Sequence, residues 1–308
     1  MLKEMSLSNN RIEKKALIVG ATINFIMALS GWIAYYLSNS QALLLDGNFS
    51  FIIFLSTLVA IRISSIKSNR SELFPFGQFV YEALYSLLKG VMIIGMLLVA
   101  FTDNVSKIFH FIGGAKTTLL NTEVILVYSL SMTLLCFGMA AYYRHRNSQI
   151  NNSSTILRVE YSAAIIDGFM SVGVGISLVG MSFFNIEGSL GFLHYIGDAL
   201  LVIFLVLLIG KDPFILVRDS FIEIVGGTLQ NKVEKKNIEE ILEKYLSSDE
   251  LLTNSYISKT GSSYLVVAYI NAQALNKVGF EKMHQIKKQI IKNLKESHQD
   301  TIFEIVLA

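Results

Sequence analysis

The sequence predicts a polytopic α-helical membrane protein, with six transmembrane helices followed by a small α+β domain. Three observations carry this expectation. Of 308 residues 52% are hydrophobic, only 16% are charged and two are proline, and the mean hydropathy is +0.51; an ordinary soluble domain is less apolar. Six windows are long enough to span a bilayer, which takes roughly 20 mostly apolar residues. After residue 231 lysine and glutamate crowd together, and that change of composition marks a domain boundary.

The windows cover residues 14–38, 42–66, 79–102, 121–144, 159–184 and 190–210. The first, "KKALIVGATINFIMALSGWIAYYLS", is too long for a signal peptide and lacks a small-residue cleavage pattern, so it reads as a span. Basic residues orient the set. Lys3, Arg11, Lys14 and Lys15 precede the first span, Arg62, Lys67 and Arg70 follow the second, and Arg144, Arg146 and Arg158 separate the fourth from the fifth. The other loops between spans hold only Lys107 and Lys116. The positive-inside rule then places both termini in the cytoplasm. A multi-pass protein of the inner (cytoplasmic) membrane is expected, divided into a membrane domain at 1–215, a linker at 216–231 and a cytoplasmic domain at 232–308.

In that last domain "KVEKKNIEEILEKYLSSDELL" spaces its isoleucines and leucines helically among charges. "NSYISKTG" and "SSYLVVAYINAQ" form two strands joined by a glycine turn, "FEKMHQIKKQIIKNLKES" returns to a helical period, and "TIFEIVLA" is a closing strand. The order α-β-β-α-β predicts helices covering one face of a sheet, a ferredoxin-like arrangement.

Ionisable residues at bilayer depth cost at least ~2.5–3.5 kcal/mol on insertion scales, so they face the bundle interior and mark ion pathways. Asp46, Glu82, Lys89, Glu160, Asp167 and Asp198 are the candidates. Glu82 and Asp198 lie in the first two turns of their helices, where a carboxylate also favours the amino-terminal dipole. Lys89 snorkels in part. Asp167 lies two turns inside its span with no such excuse and is the strongest candidate. The segments "LLLDGNFSFIIFLSTLVAIRIS" and "RVEYSAAIIDGFMSVGVGISLVG" echo each other: an acid, small and polar residues, then small positions suited to close helix packing.

These two segments, with "FPFGQFVYEALYSLLKG" at 74–90, resemble the cation diffusion facilitator family. The last looks like that family's H-P-F-G-H-x-R-x-E-x-L segment, and the surroundings of Asp46 and Asp167 look like its A-L-L-x-D-x-x-H-S-x-x-D and D-x-x-H-x-x-x-D-x-x-S-S patterns. The resemblance covers nearly the whole chain. It implies six spans, cytoplasmic termini, a ferredoxin-like cytosolic domain and a homodimer paired through those domains and the membrane helices.

The departures are as informative. The four zinc-ligand positions of the family align with Phe49, Ile53, Ala163 and Asp167, so one ligand of four survives, and Phe74 and Gln78 replace both histidines of the accessory linker site. A tetrahedral zinc site needs more donors than that. A rise of 1.5 Å per residue sets Asp46 and Ser50 within about one turn of Asp167 in depth, whereas Glu160 falls near Ser56 and Thr57, about 10 Å toward the cytoplasm. Asp167, Asp46 and Ser50 are therefore expected to hold a divalent metal cation as substrate, with Glu160 as the entry acid. Oxygen donors without histidine or cysteine favour manganese, magnesium, iron(II) or cobalt over zinc. Such a cation would compete with protons for the carboxylates and leave by alternating access.

Other features point to little else. Cys136 is alone, so no disulfide or cysteine cluster is available. His284 sits where family members carry a regulatory metal ligand but has no evident partner ligands. Asn48 is expected to pack or cap, and Asn24 either lines the cavity or, the reading put first, hydrogen-bonds a neighbouring helix. No nucleophile and base pair, zincin motif, phosphate loop or organic-cofactor fingerprint appears, which argues against an enzyme, and a net charge of +2 explained by topology argues against a nucleic-acid partner. The alternative reading is a non-transporting partner of the same family with a degenerate metal site.

Overall fold

A computed structural model describes residues 2–38, 41–114, 122–183, 192–246, 251–298 and 300–307. Each predicted span window overlaps one helix: α1 Leu2–Ser38, α2 Gln41–Ile66, α3 Val80–Ile112, α4 Thr122–Ser148, α5 Thr155–Phe183 and α6 Leu193–Ile209. Among the described residues four stretches are long and apolar enough to cross a membrane: Asn9–Leu37, Asp46–Ile66, Val80–Ile112 and Leu126–Ser148. The helices are turned inside out relative to a soluble protein. Ile33, Val59, Leu134 and Phe204 are exposed, while Ser50, Thr57, Glu82, Lys89 and Glu160 are buried, as apolar surroundings require.

Small residues set how closely the helices approach. A Cβ on Gly31 of α1 would lie 2.6 Å from the Cα of Gly47 on α2, and one on Gly168 of α5 would lie 3.1 Å from the Phe137 ring of α4. Gly47 and Gly168 directly follow a candidate acid in sequence, so the "DG" repeated in the two echoing segments seats each acid's helix against a neighbour. Trp32 Nε1 donates to Asn48 Oδ1 at 3.0 Å, which gives Asn48 its packing role between α1 and α2.

The sixth helix departs from expectation. α6 stops at Ile209, and α7 Lys211–Ile224 resumes at once, because Pro213 has no N–H to offer the carbonyl four residues earlier. Much of the predicted linker at 216–231 is therefore helical, and α7 packs along α3.

The C-terminal region has the predicted order, with one short helix added: α8 Lys232–Leu246, β1 Leu252–Thr260, β2 Ser263–Ile270, α9 Ala272–Val278, α10 Phe280–Ser297 and β3 Asp300–Leu307. The central strand β2 pairs antiparallel with β1 and parallel with β3. Alternate β2 residues Tyr264, Val266, Ala268 and Ile270 share a core with Ile238, Leu242 and Leu246 of α8 and Ile290 and Leu294 of α10. Asn271 caps α9 by accepting from the backbone N–H groups of Gln273 and Ala274, which is why the chain turns helical directly after β2. Among the described residues the sheet has three strands, with a single bridge from Thr228 to Ser258 beside β1.

The β1–β2 turn plugs into the ends of the membrane helices. Gly261, at φ +60°, approaches so closely that a Cβ would lie 2.5 Å from the Phe79 carbonyl oxygen. Its N–H donates to Glu223 Oε2 at 3.0 Å, and its carbonyl accepts from Thr155 Oγ1 at 2.9 Å. Ser262 donates to Glu82 Oε2 through both its N–H (2.7 Å) and its hydroxyl (2.5 Å). Lys67 donates to Glu82 at 2.8 Å and Glu13 at 2.7 Å. Glu82 is thus a fully buried bridge between the two regions, and its place near a helix start does not bring it to water. The ends of α2, α3 and α5 that carry these residues share one face of the molecule with the C-terminal region.

Candidate functional site

Asp46 and Asp167 come together. They line one cavity of about 80 Å³ between α2, α3 and α5, shared with Phe49, Ile53, Lys89 and Ala163. All four positions that align with the family's zinc ligands, Phe49, Ile53, Ala163 and Asp167, therefore face one space. Three of these positions are apolar, and Asp46, one turn before Phe49 on α2, brings a second carboxylate to the same cavity. Among the described residues no group of three or more histidine, cysteine, aspartate or glutamate side chains converges.

The two acids are held differently. Tyr128 of α4 donates to Asp46 Oδ2 at 2.5 Å, a charge-assisted bond that fixes the carboxylate's direction. Asp167 lies between the first cavity and a second one of about 20 Å³, lined also by Asn24, Met27, Cys136, Met139, Tyr143 and Glu160. Asn24 accordingly lines a cavity, the second-placed of its two expected roles. Sulfur is prominent around Asp167, since the first cavity also has Met92, Met96 and Met170 in its wall.

Two further predicted residues are placed otherwise than expected. Ser50 is buried but lines neither cavity; Phe49 and Ile53 take that face because their neighbours on α3 and α5 converge there. Glu160 does lie at the depth of Ser56, yet it is no open entry acid. Lys89 Nζ stands 3.2 Å from Glu160 Oε1 and 3.5 Å from Ser56 Oγ, and the Tyr85 hydroxyl donates to the same carboxylate. Lys89 therefore points inward to a partner and does not snorkel. The side chains of Asp198 and His194 lie outside the described set.

Tyr128, Tyr85 and Lys67 are polar partners that sequence reasoning missed. Tyrosines in apolar runs look like packing, and Lys67 reads as a topology signal; each finds its carboxylate through contacts distant in sequence. The one usable clue was an excess of intramembrane acids, each of which needs a donor.

Comparison with known proteins agrees with this architecture. Residues 17–225 match the family described as "Cation efflux transmembrane domain", and no curated protein matches the chain. That match spans two thirds of the sequence and includes every residue of both cavities, so the chain belongs to the cation diffusion facilitator family, the group of cation-efflux membrane transporters.

Proposed function

We propose that the protein exports a divalent metal cation from the cytoplasm, with Asp46 and Asp167 as the charged donors of the transport site and protons as the exchanged ion. The observation that carries this is the shared cavity: Asp167 on α5, at one of the four aligned ligand positions, and Asp46 on α2, one turn before another, line one largely apolar space. Bare carboxylates are costly there, and a divalent cation balances both. When it leaves, protons compete for the same oxygens, which couples the two flows. Main-chain carbonyls and water would complete the shell as the helices rock around it. Oxygen donors favour manganese, magnesium, iron(II) or cobalt, and the thioethers and the Cys136 thiol nearby favour iron(II) and cobalt within that set.

Orientation with both termini in the cytoplasm is supported by the clustering of basic residues on the face shared with the C-terminal region. A homodimer is the proposed assembly. The outer face of the small sheet leaves Tyr256 and Leu265 exposed, with Tyr256 edge-on to Tyr269, and the element order supports a ferredoxin-like domain.

The test is uptake into liposomes of manganese, iron(II), cobalt, zinc, cadmium and magnesium, with a pH dye inside, for wild type and Asp167→Ala. Uptake of one or more ions with opposite proton movement, lost in the variant, is the expected result. Silence across the panel from folded protein would favour the non-transporting partner.

A further inference from the structure

Lys89 is the charged residue of this site that two cargo-binding carboxylates leave unexplained. It lies two turns inside α3 with its side chain 1% exposed. Its ammonium contacts Glu160 at 3.2 and 3.5 Å, reaches Ser56 Oγ at 3.5 Å and lies 6.0 Å from the Tyr85 ring centre. A buried ion pair of this kind adds little net stability over apolar residues of similar volume, so packing alone does not account for it. The same lysine lines the cavity of Asp46 and Asp167, and Asp167 lies within electrostatic reach of both Lys89 and Glu160.

We propose that Lys89 is a tethered counter-cation of the transport site. Its ammonium pairs with Glu160 while a divalent cation occupies Asp46 and Asp167, and moves onto Asp167 when that cation departs. The proposal rests on the carboxylate reading above and adds the residue that sets its charge. Three carboxylates and one ammonium leave a formal charge of minus two, which one divalent cation neutralises. Glu160 and Asp167 are seven residues apart on α5, about 10 Å along the axis, and Lys89 faces them from α3. Lysine suits the task because it carries a compact charge on a flexible four-carbon stem. Both of its resting places are anionic, so its charge stays paired throughout; on the return step it covers Asp167, and the protons that replace the cation go to Asp46 and to the vacated Glu160.

The experiment is calorimetric titration of the full-length protein in detergent with manganese and cobalt. It compares wild type, Glu160→Gln, the double variant Lys89→Met/Glu160→Gln, and Asp167→Asn. Glu160→Gln strands the ammonium, which settles on Asp167 and weakens metal binding by about tenfold or more, the scale of one charge-assisted hydrogen bond. The double variant removes the pair as a unit, so no buried charge is left unpaired, and with the competitor gone it binds about tenfold tighter than wild type by the same scale. That reversal of sign between single and double variants is what a purely structural clasp does not produce. If Glu160→Gln does not fold, the double variant decides alone. Wild-type affinity in the double variant, with binding lost only in Asp167→Asn, overturns the tethered cation and leaves the carboxylate site standing. Unchanged binding in Asp167→Asn as well overturns both.

Discussion

Asp46 and Asp167 share a cavity but not a set of partners, and the difference yields a graded prediction. The Tyr128 hydroxyl holds Asp46 Oδ2 at 2.5 Å; a hydrogen bond to a charged group contributes roughly 1.5–3 kcal/mol. Asp167 is held by its place on α5, between the walls of the two cavities. Asp167→Asn is therefore expected to abolish metal uptake. Tyr128→Phe, which frees Asp46 to turn away, is expected to lower uptake about tenfold at limiting metal. Radioactive or dye-based uptake at several metal concentrations separates the two, because the tyrosine variant recovers at high metal and the aspartate variant does not.

Among the elements, helix spacing decides whether the two acids meet. The crossing of α1 and α2 leaves no room for a methyl group at Gly31, since the obstacle is the backbone of Gly47. Gly31→Ala should force the helices apart and destabilise the fold by about 1–3 kcal/mol. Gly168→Ala meets the edge of the Phe137 ring at 3.1 Å, and a side chain yields more readily than a backbone. Thermal unfolding in detergent should rank them, with Gly31→Ala melting well below Gly168→Ala. The break at Pro213 belongs to the same level of organisation. It turns the end of the sixth helix into a separate segment, α7, which carries Glu223 to the Gly261 turn.

For the molecule as a whole, the junction between the helices and the C-terminal region is a buried polar plug, and it titrates. Burial pushes the Glu223 carboxyl up to about 7, against the pull of Lys259 and of the Gly261 N–H. Its unfolded value is 4.5, so the folded protein holds the extra proton between those limits. The stability this residue contributes is complete below about pH 4.5 and is lost as the pH rises through about 7. Glu234 behaves oppositely. Burial alone would raise it, but Lys259 and Arg158 bring it down to about 2, so its contribution is present above about 4.5 and is lost only as the pH falls toward 2. Between pH 5 and 7 the loosening of the plug therefore reports Glu223. Hydrogen-exchange protection at the Gly261–Ser262 turn, with the intrinsic pH dependence of amide exchange divided out, should fall over that range in wild type and stay flat in Glu223→Gln. Light scattering of the purified protein should give the mass of two chains, and Tyr256→Glu with Leu265→Glu on the outer sheet face should shift it toward one.

Much of this was legible along the chain. The positions of the long apolar helices follow from runs of apolar residues, a local property of each window, and the helices of the C-terminal region follow from 3.6-residue periodicity in the same way. Asp167 stood out because a carboxylate two turns inside a span has no local excuse. Pairings between distant elements were hidden for a physical reason: a buried charge is explained by its partner, and Lys89 with Glu160, Tyr128 with Asp46, and Glu82 with Ser262 are separated by 71, 82 and 180 residues. No periodicity encodes such pairs; only the packing of α3 on α5, of α4 near α2 and of the β1–β2 turn on α3 creates them. Spacing along α2 put Ser50 on the face of Asp46, yet the helix is turned so that Phe49 and Ile53 meet the cavity, because rotation about a helix axis is set by its neighbours and not by its own residues. Composition and local pattern thus determined a membrane protein with acids at depth. Helix packing determined which acids meet, which are neutralised and which of them join the membrane helices to the domain beyond.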